Sequence, residues 1–292
     1  MIWSKHSISS PSRTDARLAG WLSVAAGLAA AVLVLIVLFL LHESWPVLNR
    51  IGWLRFFTDA AWHPSEGLFG LAPMLWATLA SSAGALVLAG GLGVASSLFC
   101  RFYAPPSAAR SYRRMVALLA GIPSVVFGLW GLTVMVPLIA RWQPPGASLL
   151  AGILILTLMI LPTVALTADA ALAAVPKAYL HGAAALGISR SGTILRVVLP
   201  AARSGIIAGL LLAAGRALGE TMAVLMVAGN VVQTPHSLFD PVRTLTANIA
   251  LEMAYATGEH RAGLFVSGLV LTGMIILLAV AALRLGGARS HV

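Results

Sequence analysis

The sequence predicts an all-α, polytopic membrane protein with six transmembrane helices, and three observations carry that prediction. Of 292 residues, 59% are hydrophobic and 10% charged, whereas a soluble domain carries about 25% charged residues to keep its surface wet. The apolar residues come in long runs, not at the spacing of a helix or strand with one wet face. Each run has the ~18 residues or more needed to cross a hydrocarbon layer ~30 Å thick.

The spans are expected at 18–41, 72–98, 116–140, 149–171, 206–228 and 264–283. The first run, Leu18 to Leu41, is too long for the apolar core of a signal peptide and lacks a small-residue cleavage site. It is expected to stay as a span, after a cytoplasmic segment at 1–17 and within one membrane domain at 18–283, with a tail at 284–292. The third span opens on Gly121-Ile122-Pro123-Ser124, where a proline frees a backbone carbonyl and a kink is expected.

Four small-residue pairs stand at four-residue spacing: Ala80/Gly84, Ala89/Gly93, Gly205/Gly209 and Gly215/Gly219. Such pairs let helices approach closely where lipid gives them no hydrophobic reason to associate. They fit packing within the bundle or packing against a second subunit.

Orientation follows from the basic residues in short loops. With the N-terminus inside, thirteen fall on the inner side: Lys5, Arg13, Arg17, Arg101, Arg110, Arg113, Arg114, Lys177, Arg190, Arg196, Arg203, Arg284 and Arg289. Five fall outside: Arg50, Arg55, Arg141, Arg243 and Arg261. Both termini are expected in the cytoplasm.

Other classes are disfavoured. The net charge of +10 is scattered between apolar runs as membrane-surface charge, not gathered on a nucleic-acid face. A single cysteine, Cys100, leaves no internal disulfide and no cysteine metal cluster. Ser124 has no histidine within the spans to serve it as a base, which argues against an intramembrane hydrolase. No G-x-x-x-x-G-K-[ST] loop occurs, so ATP is not bound by that means.

Two features go beyond anchoring. The inner segment 172–203 is expected to form two short helices, with Pro176 in the first turn of the first and Gly187 ending it in the left-handed conformation. Ser189 or Ser191 caps the second, and Leu180, Leu186, Ile188 and Ile194 are apolar knobs. The pair reads as a protrusion for a cytoplasmic partner or as an interfacial pair resting on headgroups. The second feature is Arg216 and Glu220 in the fifth span. An intramembrane charge costs about 2.5–3.5 kcal/mol on translocon scales and takes a partner or faces water. Four residues apart on a helix, the two can pair. They read as a lock in the bundle or as a charged site on a translocation path, where a guanidinium suits an anion such as phosphate.

In the outer segment 229–262, Asp240-Pro241 reads as an N-cap and first-turn proline. Leu245, Ile249 and Met253 then form an apolar stripe on a short helix. That helix either packs on the bundle or caps the path and receives a binding protein.

Gly187, followed ten positions later by Val197-Val198-Leu199-Pro200, resembles the cytoplasmic loop signature of ABC importer permeases, Glu-Ala-Ala, three residues, Gly, nine residues, Ile-x-Leu-Pro. Here His181 stands at the glutamate position, Gly182 at the first alanine, and Ala183 matches the second. The stretch containing Arg216 and Glu220 extends this resemblance. So do LAGIPSVVFGLWGL at 119–132 and SLFDPVRTLTANIALEM at 237–253. Together they resemble the C-type permeases of bacterial phosphate ABC importers, from about Glu43-Ser44-Trp45-Pro46 to the last span. The resemblance implies a type I ABC importer permease in a bacterial inner membrane. Its implied partners are a second permease, two ATPase subunits docked on the 172–203 loop, and an extracytoplasmic phosphate-binding protein. It implies no cofactor on this chain, ATP being used by the ATPase. A secondary transporter, or a scaffold or sensor subunit without its own path, is the rival reading. The first would show inverted repeats or interrupted helices with ionisable coupling residues.

Overall fold

A computed structural model describes residues 13–287. Lys5 and Arg289, counted in the charge argument, and most of the 1–17 and 284–292 segments lie outside the described residues. The long helices are α1 (Arg13–Ile51), α3 (Ala72–Phe102), α7 (Leu149–Ala173), α10 (Leu199–Gly219) and α13 (Gly258–Gly287). Between α1 and α3 lie α2 (Trp53–Thr58) and a hairpin of β1 (Trp62–His63) and β2 (Leu68–Phe69), with Trp62 opposite Phe69. The third unit is α4 (Pro106–Ala120), then α5 (Ser124–Trp130) and α6 (Val136–Ala140) joined by a π turn. Short helices complete the chain: α8 (Lys177–Ala185), α9 (Arg190–Thr193), α11 (Met222–Val227) and α12 (Leu245–Glu252).

Five helices are long and apolar enough to cross a membrane, and the unit of α4 with α5–α6 makes a sixth, bent by 94°. The bend sits where the sequence places it. Pro123 is extended at φ −60°, ψ 140°. It has no N–H to donate and disfavours a helical Ile122. Residues 116–120 therefore belong to α4, the first arm of the bent unit, and the second arm starts at Ser124. With the bent unit counted as one span, six spans would return the chain to its starting side. The start of α1, the end of α13, α4 and α8 share one end of the bundle, here proximal; the hairpin, α2 and α12 occupy the distal end.

The fifth span departs most from expectation. It was placed at 206–228, but the continuous helix runs Arg190–Gly219, through α9, a π turn at Ile194–Val198 and α10. Arg190, Arg196 and Arg203 lower the hydropathy of its first turns without ending it, while the apolar run 222–228 continues past the real break into α11. The segment 172–203 therefore includes the first turns of this continuous helix, from Arg190 onward.

Three helices, α3, α7 and α10, form the centre, and their contact is built on small residues. Ala77, Ala85, Ala89, Ala213 and Ala217 meet Leu156, Ile160 and Val164 in one buried cluster. A Cβ on Gly93 would stand 2.8 Å from Val164 Cγ1, and one on Gly209 2.1 Å from Thr167 Oγ1. The glycines let α7 side chains come down onto the α3 and α10 backbones, as the four-residue spacing predicts. A second cluster, around Val47, Phe56, Trp62, Phe69, Met74 and Leu264, closes the distal end. The N-terminal part of α1 stays exposed, with Trp21 at 76%, as a lipid-facing helix requires.

Candidate translocation site and coupling surface

Arg216 occupies the last turn of α10, where a cation complements the partial negative charge of the helix end. Its side chain is exposed, and Nη1 lies 3.5 Å from the Thr163 hydroxyl on α7. It also lines an open groove of about 810 Å³ between α10 and α13, whose other walls are Ala208, Leu211, Leu212, Gly215, Ile275 and Leu278 among similar apolar residues. One guanidinium thus stands on an otherwise apolar wall.

Glu220 does not pair with it. The helix ends at Gly219, and Glu220 adopts φ −68°, ψ 130°, so the four-residue register on which the pairing depended is gone. Its Oε1 instead accepts the Ala223 N–H at 3.0 Å, satisfying one of the orphan donors at the start of α11. Its carbonyl accepts the Thr246 hydroxyl at 2.8 Å. The charge pair becomes an interrupted helix with a cation on one side of the break and a capping carboxylate on the other.

Thr246 belongs to α12, which is held in turn by a network the sequence reading missed. Glu252 accepts Trp62 Nε1 at 2.9 Å, faces His260 Nε2 at 2.8 Å and accepts Arg243 Nη1 at 2.6 Å. Burial acts to raise the Glu252 pKa, but these donors outweigh it and hold the carboxyl below its ordinary range. Arg243 also donates to the Asn230 carbonyl and to Asn248 Oδ1. The α12 N-cap is Thr244, accepting from Ala247 N, with Thr78 of α3 accepting from Leu245 N. Asp240, expected as the cap, closes the preceding turn by accepting the His236 and Ser237 amides, which lower its pKa. Leu245 is fully buried, and Ile249 and Met253 are partly so, so the expected stripe packs inward.

A second ion cluster marks the proximal end. Asp169, inside the fourth span, accepts Arg113 Nε at 2.8 Å and faces Arg101 Nη1 at 3.5 Å. An acid within an apolar run is the signal that could have found it, since such a charge needs partners.

Beyond α7, the proximal protrusion follows the glycine logic. Pro176 stands at the N-cap of α8. Gly187 takes φ +69°, and the amides of Gly187 and Ile188 bond to the carbonyls of Ala184 and Ala183, the paired closure of a Schellman motif. Ser189 then caps α9 through Gly192 N. Of the four expected knobs, Leu186 is 80% exposed and Ile188 lies outward too, whereas Ile194 is buried and Leu180 packs into the cluster of Leu172 and Val198. His181 and Gly182 are exposed and Ala183 is buried. Val197 lies in the π turn, and Leu199 and Pro200 open α10, so these signature residues lie on the helix that follows the protrusion.

A sequence profile for inner membrane components of binding-protein-dependent transport systems matches residues 88–288. The probable ABC transporter permease protein YqgH of Bacillus subtilis is 37% identical, over 79% of this chain and 76% of its own. The phosphate transport system permease protein PstC of Mesorhizobium japonicum is 35% identical, over 85% of this chain and 82% of its own. Among solved structures, an inward-facing MetNI methionine ABC transporter superposes with TM-score 0.60 at 18% identity, covering 79% of this chain and 100% of that one, a likeness of fold. The chain therefore belongs to the family of binding-protein-dependent transport system inner membrane components, as a multi-pass permease with the type I ABC importer fold.

Proposed function

We propose that the chain is one of two permease subunits forming the path of a phosphate importer in a bacterial inner membrane, with both termini cytoplasmic. Identity to the Mesorhizobium japonicum phosphate permease over most of both chains carries the substrate, and the lone cation on an apolar wall beside a broken helix suits an anion. In this reading Arg216 attracts the anion by charge, Glu220 shapes the break, and the binding protein delivers phosphate at the distal end. Two ATPase subunits grip the proximal protrusion through the exposed Leu186 and Ile188, with His181 at the rim. ATP acts only through those partners, and the chain itself holds no cofactor. Uptake of labelled phosphate by cells carrying Arg216→Gln tests the path. Assembly with the second permease is expected to persist while uptake falls at least about tenfold, a loss of about 1.4 kcal/mol; unchanged uptake removes Arg216 from the path. A photo-crosslinker at Leu186 is expected to capture an ATPase, a better position than the buried Ala183.

A further inference from the structure

Helix α4 is the first arm of the bent unit, turned 94° from the arm that follows it, and its residues sort into three faces. At about 100° per residue, Ala109, Tyr112, Arg113, Val116 and Ala120 share one side. Of these, Ala109 and Val116 are buried, Tyr112 bonds Ser96 on α3 and Arg113 bonds Asp169 on α7. That side is the seat of the helix on the bundle. Arg110 and Arg114, four apart, fall together on one flank. Met115 and Leu119 fall on the opposite flank with Leu118 nearby, and Met115 is 64% and Leu118 74% exposed.

A helix seated on its bundle, with a cationic flank and an apolar flank both uncovered, has the division of a helix lying in the membrane–water interface. Neither charge has a carboxylate partner among the described residues. Arg110 donates only to the Pro106 carbonyl at 3.3 Å, and Arg114 makes no ion pair among the described residues. Asp169, the nearby acid on α7, is engaged by Arg113 and Arg101. Helix α4 carries no acid of its own.

We propose that α4 is an interfacial anchor on which Arg110 and Arg114 hold the phosphate headgroups of anionic lipids while Met115, Leu118 and Leu119 enter the acyl region. Charge complementarity selects the lipid over an apolar protein partner, because a protein covering this face would bury two unpaired guanidiniums. The inference does not rest on what the permease transports.

The test uses the full chain in nanodiscs of mixed phosphatidylcholine and phosphatidylglycerol, with retained lipids counted by native mass spectrometry. The wild-type chain is expected to be enriched in phosphatidylglycerol, and Arg110→Gln with Arg114→Gln to lose that enrichment by roughly fivefold per charge. Arg17→Gln with Arg284→Gln removes the same charge from α1 and α13 and is expected to leave it. Equal enrichment in the α4 variant, or an equal loss in the control, overturns the proposal. So does displacement of the lipid by millimolar inorganic phosphate, which would make this a free-anion site. A photo-crosslinker at Ser111 in cells is expected to label lipid; capture of a protein there overturns the proposal as well.

Discussion

The two ends of α10 carry the same sequence device and meet different fates. Gly205 and Gly209 lie against α7, where added Cβ atoms would stand 2.7 Å from Ala171 Cβ and 2.1 Å from Thr167 Oγ1. Gly215 and Gly219, spaced identically, meet almost nothing: Leu278 Cδ2 lies 3.7 Å from a Gly215 Cβ, and a Gly219 Cβ finds open space. The glycines of the proximal half therefore sit directly under α7 side chains. The distal half buries Ala213 and Ala217 in the same central cluster but turns its glycines and Arg216 outward, and its end meets loop and α12 chemistry. Spacing reports that a helix can be approached closely, but not by what.

The distal support is the more expensive to remove. Arg243→Ala leaves Glu252 buried without its cationic partner, a loss of about 3 kcal/mol, and frees α12, which carries Thr246 under the break. Thermal unfolding of the detergent-solubilised chain is expected to show the fall, and an unchanged midpoint would mean that α12 does not depend on the ion pair. The same network gives a pH signature. Because the folded Glu252 carboxyl titrates below its ordinary range, its contribution is complete above the unfolded pKa and is lost as pH falls through the lower folded value. Acidification through that window should lower the midpoint of the wild-type chain more than that of Glu252→Gln.

On the proximal half, Gly209→Val forces a branched side chain onto Thr167, whose hydroxyl is already bonded to the Thr163 carbonyl at 2.8 Å. Overpacking of this kind costs roughly 1–3 kcal/mol. Reduced folded protein in the membrane fraction is the readout. Full accumulation would show that α7 and α10 are not in contact.

Glu220→Ala removes a single cap, worth about 1 kcal/mol, so folding should survive while the start of α11 loosens and phosphate uptake drops. Loss of uptake without loss of assembly would place the break on the path; loss of both would make Glu220 a structural cap alone. Its role was not legible in the sequence. Helical spacing put Glu220 beside Arg216, while the break is marked by its cap on Ala223 and by a Thr246 contact from 26 residues away, among apolar flanking residues that conceal it. Where backbone chemistry alone decides, the sequence was sufficient. Pro123 forces the bend into α5, and Gly187 takes the left-handed turn that closes α8, because no distant partner is needed for either. Asp169 falls between these cases. Its presence in an apolar run announces a partner, but that Arg113 supplies it depends on α4 folding back across α7.

The smallest effect separates the two halves most cleanly. Gly215→Ala adds a methyl that meets one side-chain carbon at ordinary contact distance, and alanine favours a helix over glycine by about 1 kcal/mol. The isolated chain is therefore expected to be no less stable, with its unfolding midpoint equal to or slightly above wild type. The same methyl matters only if another helix backbone lies against that face. In the proposed pair of permeases, Gly215→Ala should then weaken association with the second subunit, measured by co-purification across a detergent series, while leaving the chain intact. A chain destabilised by this change would refute the open face. A chain and a complex both unaffected would place the second subunit elsewhere and leave the groove beside Arg216 to lipid.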